Sequence, residues 1–162
     1  MLIELKNKDT LEIGEFKFKC CIGKNGLKKR KIEGDKCTPT GLFTLGNLYF
    51  RKDRVNDCKT YLKKKIIKPT MGWCNNPQSK KYNSEIKIKE KNFSEKLYRK
   101  DYKYDYFIVI NYNKKRAPYK GSAIFLHLTK NYKPTAGCVA LIKKDFEILL
   151  KLINRKTKIK IG

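Results

Sequence analysis

From Glu15 to Ile22 the side chains alternate: Phe16, Phe18, Cys20 and Ile22 are interleaved with Glu15, Lys17, Lys19 and Cys21. A period of two puts every second side chain on one face of an extended chain, so this segment predicts a half-buried β-strand. Cys20 falls on the apolar face, where a free cysteine acts as a small hydrophobe. Strand signals recur along the chain. LIEL and TLEIG flank the turn KNKD. GKNGLKKRKIEGD is a Gly- and Lys-rich loop. TPTGLFTLGNLYF opens as a turn around Pro39 and Gly41 and runs into a strand. YDYFIVINYN is apolar from Phe107 to Ile110 and reads as a buried strand. GSAIFLHL reads as another, with His127 at its end, and KIKIG closes the chain as a strand.

One late segment has the helical period instead. Phe146, Leu149, Leu150 and Ile153 stand at i, i+3, i+4 and i+7, one apolar stripe on a helix. FSEKLYRKD suggests a second, short helix capped by Ser94. The stretch ending in MGWCNNPQSKKYN reads as a loop around Trp73. We find no repeat or linker, and strands dominate, so the expectation is one mainly β domain over residues 1–162 with one late helix and a minor α+β character.

A chain of 162 residues with 40% hydrophobic content can bury a core. No apolar run approaches the roughly 20 residues of a membrane helix. The start, MLIELKNKDTLEIGEF, lacks the basic, apolar and small-residue regions of a secretory signal. The net charge is +25, from 40 basic and 15 acidic residues, which implies anionic partners or a compositional bias toward Lys. Six cysteines, Cys20, Cys21, Cys37, Cys58, Cys74 and Cys138, show no C-x-x-C pair, and there is one histidine. We therefore expect no metal site and no cofactor, with most of the thiols reduced and buried.

The segment HLTKNYKPTAGCVAL holds that histidine, His127, with Cys138 11 positions later. A cysteine nucleophile needs a base, and N–H donors for the oxyanion formed when it attacks a carbonyl. His127 at a strand end and Cys138 in a turn can meet across such a loop. Gly137 permits an unusual backbone angle there. The N–H groups of Cys138 and Gly137 are candidate oxyanion donors, and the positive end of the late helix would favour a thiolate if it pointed at Cys138. On these residues alone, a packed cysteine and an unrelated histidine remain the bland alternative.

HLTKNYKPTAGCVAL resembles the active-site segment of the L,D-transpeptidase catalytic domain, the YkuD-like family: a histidine at a strand end, then a Ser/Thr-x-Gly-Cys turn. EGDKCTPTGLFTLG is similar to an early segment of these domains. MGWCNNPQSKKYN, YDYFIVINYN and YKGSAIFLH are similar to the middle of the short, single-domain members, so the likeness covers nearly the whole chain. It implies a β-sandwich and a cysteine acyltransferase acting on peptidoglycan stem peptides. Cys138 would be the nucleophile, His127 the base, and Gly137 part of the oxyanion site, with a thioester resolved by an amine or by water. Thr135, Ala136, Trp73 and Tyr82 are candidates for substrate contact. Thr135 also suits a turn, and Trp73 also suits the core. Three departures are visible. Ala136 stands where many members have histidine, Ala140 stands where many have Arg or Asn, and the His-to-Cys spacing is short. The resemblance points to the cell envelope or periplasm and the missing signal to the cytoplasm. A monomer is expected. The rivals are an L,D-carboxypeptidase or hydrolase using the same site, and a basic nucleic-acid-binding module, for which the Tyr- and Lys-rich YRKDYKYDY would serve. The ordered Gly, Cys and His motifs count against the last.

Overall fold

The computed structural model describes residues 1–56, 59–88 and 94–162. In chain order the elements are β1 (Leu2–Lys6), β2 (Thr10–Ile13), β3 (Phe16–Cys21), β4 (Leu27–Lys28), β5 (Thr38–Pro39), β6 (Gly41–Phe50) and β7 (Lys64–Ile66). They continue as β8 (Met71–Cys74), β9 (Glu85–Lys87), β10 (Ser94–Lys96), β11 (Tyr106–Ile110), β12 (Phe125–Leu128), β13 (Val139–Leu141), α1 (Lys143–Leu152) and β14 (Lys158–Ile161). Among the described residues the fold is mostly β with one short helix, as the alternation predicts.

Nine strands form a sheet in the order β11-β12-β13-β3-β2-β1-β14-β6-β7, and β6 pairs with β11 as well. The sheet thus closes on itself into two faces that share β3 and β6. β3 pairs with β2 through Phe16–Lys19 and with β13 through Cys20 and Cys21. β6 pairs with β14 through Gly41–Thr44 and with β11 from Leu45 onward. Residues such as Leu11, Phe18, Leu48, Ile108, Leu126, Val139 and Ile159 fill the space between the faces. Helix α1 adds Phe146, Leu149 and Leu150 from the predicted stripe, and Ile153, which caps the helix in extended conformation, completes it.

A second apolar cluster lies on the other side of β11 and β12. It contains Tyr49, Trp73, Leu97, Tyr104, Phe107, Phe125 and Cys138. The three-stranded sheet β10-β8-β9 contributes to it. Two sequence expectations change here. Ser94 opens strand β10, which pairs with β8, and caps no helix; Phe93 of that segment lies outside the described residues. Trp73 sits on strand β8 rather than in a loop; β8 pairs with β9 and β10, and all four of its residues, from Met71 to Cys74, are buried. Phe16, at the start of its strand, is exposed. The five described cysteines are free and buried; Cys58 lies outside the described residues.

Candidate active site

The alternation along β12 decides which way His127 faces. Leu126 and Leu128 enter the core between the two sheet faces, so Phe125 and His127 project from the opposite side. β13 runs parallel to β12, with Leu126 opposite Val139 and His127 opposite Ala140. Cys138, one residue before β13, lies on the same side as His127. Both line a cleft of about 600 Å³, together with Lys31, Glu33, Glu95, Arg99, Tyr104 and Ser122 among others.

The His127 Nδ1 lies 2.9 Å from the Leu128 carbonyl oxygen. A carbonyl only accepts, so Nδ1 carries the proton and Nε2 is left with its lone pair. The ring also meets Tyr104 edge-on, with centroids 5.5 Å apart. Burial pulls the imidazole down to about 4; the Leu128 bond opposes this, while the Lys103 and Arg99 charges add to it.

The Cys138 thiol donates to the Ala123 carbonyl at 3.2 Å and accepts from the Phe125 N–H at 3.3 Å. Burial pushes it up to about 12, and the negative charge of Glu95 adds to this; the Phe125 N–H and Lys31 oppose it. The resting pair at neutral pH is therefore a thiol and a neutral imidazole. No hydrogen bond joins Cys138 to His127 among the described residues; at rest the thiol donates to Ala123 instead.

The turn before Cys138 is held by Thr135, whose hydroxyl donates to the Cys138 carbonyl at 2.6 Å and accepts from the Gly137 N–H at 3.1 Å. The Gly137 N–H, expected as an oxyanion donor, is engaged by Thr135 in this geometry. The Cys138 N–H has no such partner among the described residues. Ala136 is exposed at the cleft rim. Helix α1 packs into the core between the sheet faces, whereas Cys138 belongs to the cluster on the other side of β12.

Trp73 and Tyr82 do not wall the cleft. Trp73 is 8% exposed, packs edge-on against Tyr49 and Phe125, and donates from Nε1 to Asn83 Oδ1 at 3.0 Å. Tyr82 is 1% exposed; its hydroxyl donates to Glu33 and accepts the Gly121 N–H at 3.0 Å. Large aromatic rings beside a motif are as well suited to core packing as to a groove, and packing prevails for both.

Sequence reasoning missed Asn83. Its Oδ1 accepts from Trp73 Nε1 and from the Ala123 N–H at 3.0 Å, and its Nδ2 donates to the Tyr112 and Asn113 carbonyls. It thereby fixes Ala123, whose carbonyl holds the thiol and whose φ is +54°. Also missed were Lys31 and Asp35, from the loop between β4 and β5, and Glu95, on strand β10. Glu95 is hydrogen-bonded by the Tyr104 hydroxyl, and burial raises its carboxyl although that bond and Arg99 oppose it. No group of three or more His, Cys, Asp or Glu side chains suited to a metal occurs among the described residues. No helix among them is long and apolar enough to cross a membrane.

The fold closed on itself thus brings His127, on β12, and Cys138, just ahead of the adjoining parallel strand β13, to one cleft. Residues 3–161 match the family model of the YkuD L,D-transpeptidase catalytic domain. The chain belongs to this family of peptidoglycan-modifying enzymes, whose activity is of the L,D-transpeptidase type. None of the curated proteins compared with the chain matches it.

Proposed function

We propose that the chain is a cysteine acyltransferase that carries out L,D-transpeptidation on peptidoglycan stem peptides through a thioester on Cys138. The observation that carries this reading is the shared cleft of Cys138 and His127, with Nδ1 committed to the Leu128 carbonyl and Nε2 free to act as the base. Cys138 Sγ attacks the carbonyl of the third stem residue, at the L,D bond before the terminal D-alanine. Its proton passes to His127 Nε2. The carbonyl π electrons move onto oxygen, and when they return the C–N bond breaks and His127 protonates the departing amine. An acceptor amine then displaces Cys138 from the thioester. Because the resting pair is neutral, proton transfer accompanies attack rather than preceding it. The roles of Thr135 and Ala136 follow from their places: Thr135 holds the turn, and Ala136 leaves the rim open beside it.

The test is mass spectrometry of disaccharide-tetrapeptide incubated with the protein and with Cys138→Ala. Loss of D-alanine with a cross-linked product, absent in the variant, is the expected result. D-alanine loss with water added and no cross-link would replace transfer by hydrolysis. Undiminished turnover by Cys138→Ala would remove Cys138 as the nucleophile.

A further inference from the structure

The Lys31 side chain is 3% exposed, yet it carries an ammonium at the cleft wall. A buried cation persists only when it is paired and held. Lys31 Nζ donates to Asp35 Oδ1 at 2.7 Å. Asp35 is itself fixed, accepting the Cys37 N–H on Oδ1 at 3.0 Å and the Ile32 N–H on Oδ2 at 2.8 Å. The Lys31 stem lies along Gly121, where a Cβ would meet Cε at 2.9 Å and Cδ at 3.0 Å. The ammonium is thus confined from both ends.

It is also incompletely used. An ammonium has three N–H donors, and Asp35 is its single acceptor among the described residues. Two donors are left for a ligand in the cleft. Nζ stands 3.4 Å from the point that a Cβ on Gly137 would occupy, so it adjoins the backbone leading into Cys138. The Gly137 N–H is meanwhile committed to Thr135 Oγ1. An oxyanion at the Cys138 thioester carbon would have the Cys138 N–H but lack a second backbone donor from residue 137.

We propose that the Lys31 ammonium is the second oxyanion donor of this site, serving in place of the Gly137 N–H. This rests on the acyl-transfer reading of Cys138. As Sγ bonds to the carbonyl carbon, the oxygen gains the π pair and accepts a hydrogen bond from Nζ. Lys31 keeps its proton throughout, and the bond weakens again when the C=O reforms and the amine leaves. The positive charge of Lys31 also opposes the burial that keeps the Cys138 thiol protonated.

The experiment compares wild type, Lys31→Met and Lys31→Arg. Acylation of Cys138 by p-nitrophenyl acetate and by disaccharide-tetrapeptide is followed by intact mass. Alkylation of Cys138 by iodoacetamide, which displaces iodide and forms no oxyanion, is followed in parallel. Acylation in Lys31→Met should fall about a hundredfold or more, which is what loss of one oxyanion donor costs. Alkylation should fall at least tenfold less than acylation. Lys31→Arg, which keeps a cation for Asp35 and the cleft, should recover most of the loss, and it carries the comparison if Lys31→Met does not fold. Unchanged acylation, or equal falls in acylation and alkylation, would overturn the assignment. Acylation of the wild type by the ester and not by the tetrapeptide would overturn the peptidoglycan reading alone.

Discussion

A Cβ on residue 137 would stand 2.8 Å from the Cys37 carbonyl oxygen, at a φ of +138° that L side chains rarely adopt. Both the backbone angle and the space demand glycine. Gly137→Ala should therefore cost about 2 kcal/mol or more of stability, and it should also shift the Cys138 turn and sharply reduce acylation. A urea melt and an acylation rate on the same sample check this together. The neutral resting state of His127 and Cys138 makes a second prediction. Only the neutral imidazole can take the proton, so kcat/KM should be half-maximal near pH 4, the depressed value of His127, and level from about pH 6 to 9. A bell with its acid limb near neutrality would instead indicate a thiolate–imidazolium pair.

β12 carries two cores on its two faces, and the loop before it sets the floor of the cleft. Asn83 holds both ends of that loop, Ala123 at one and Tyr112 and Asn113 at the other, and ties it to β8 through Trp73. Asn83→Ala leaves partly buried backbone groups unpaired, so it should destabilise by about 2–4 kcal/mol. Because Ala123 is released with it, Cys138 acylation should also slow in molecules that remain folded. Asn83→Asp keeps the two acceptor contacts but sets a carboxylate oxygen against the Tyr112 and Asn113 carbonyl oxygens, and should also be destabilised in a chemical melt. β3 and β6 turn from one sheet face to the other, and that bend places β13 beside β12 and hence Cys138 beside Phe125.

For the molecule as a whole, burial of His127 links stability to pH. An unfolded imidazole takes up its proton near the ordinary value of 6.5, and the folded one only near 4. Between those values the unfolded chain binds more protons, so unfolding becomes easier as pH falls through that window. The loss approaches about 3 kcal/mol at its lower end. Urea melts at pH 7 and pH 4.5 should show it, and His127→Asn, which does not titrate, should show a smaller drop. The charge of +25 acts over longer distances. Retention on an anionic cell-wall polymer should weaken steeply as salt rises from 50 mM to 500 mM, while acylation by a small neutral ester changes little. Salt-independent retention would show that short-range contacts rather than charge hold the polymer.

Local periodicity was enough for the strand character, the buried run at Phe107–Ile110, and the helix bearing Phe146 and Leu149, while the candidate pair of His127 and Cys138 came from residue type, spacing and the family resemblance. These depend on spacing along the chain, which the sequence states directly. The strands around Trp73 and Ser94 were not legible, because their burial comes from partners distant in sequence, and Gly-, Asn- and Lys-rich composition masks it. The sequence also left open whether Tyr82 and Trp73 faced substrate or core. Only the fold assigned them to the core, by bringing Glu33, Asn83 and Phe125 against them. The same holds for Lys31 and Asp35. As residues they belong to a basic loop, and the closed sheet makes them a buried ion pair at the cleft by setting that loop against Gly121 and Gly137. Spacing in one dimension determined the elements and the reactive residue types. Contacts between distant segments decided which donors are committed, which are free, and what ionisation state burial imposes on the cysteine and the histidine.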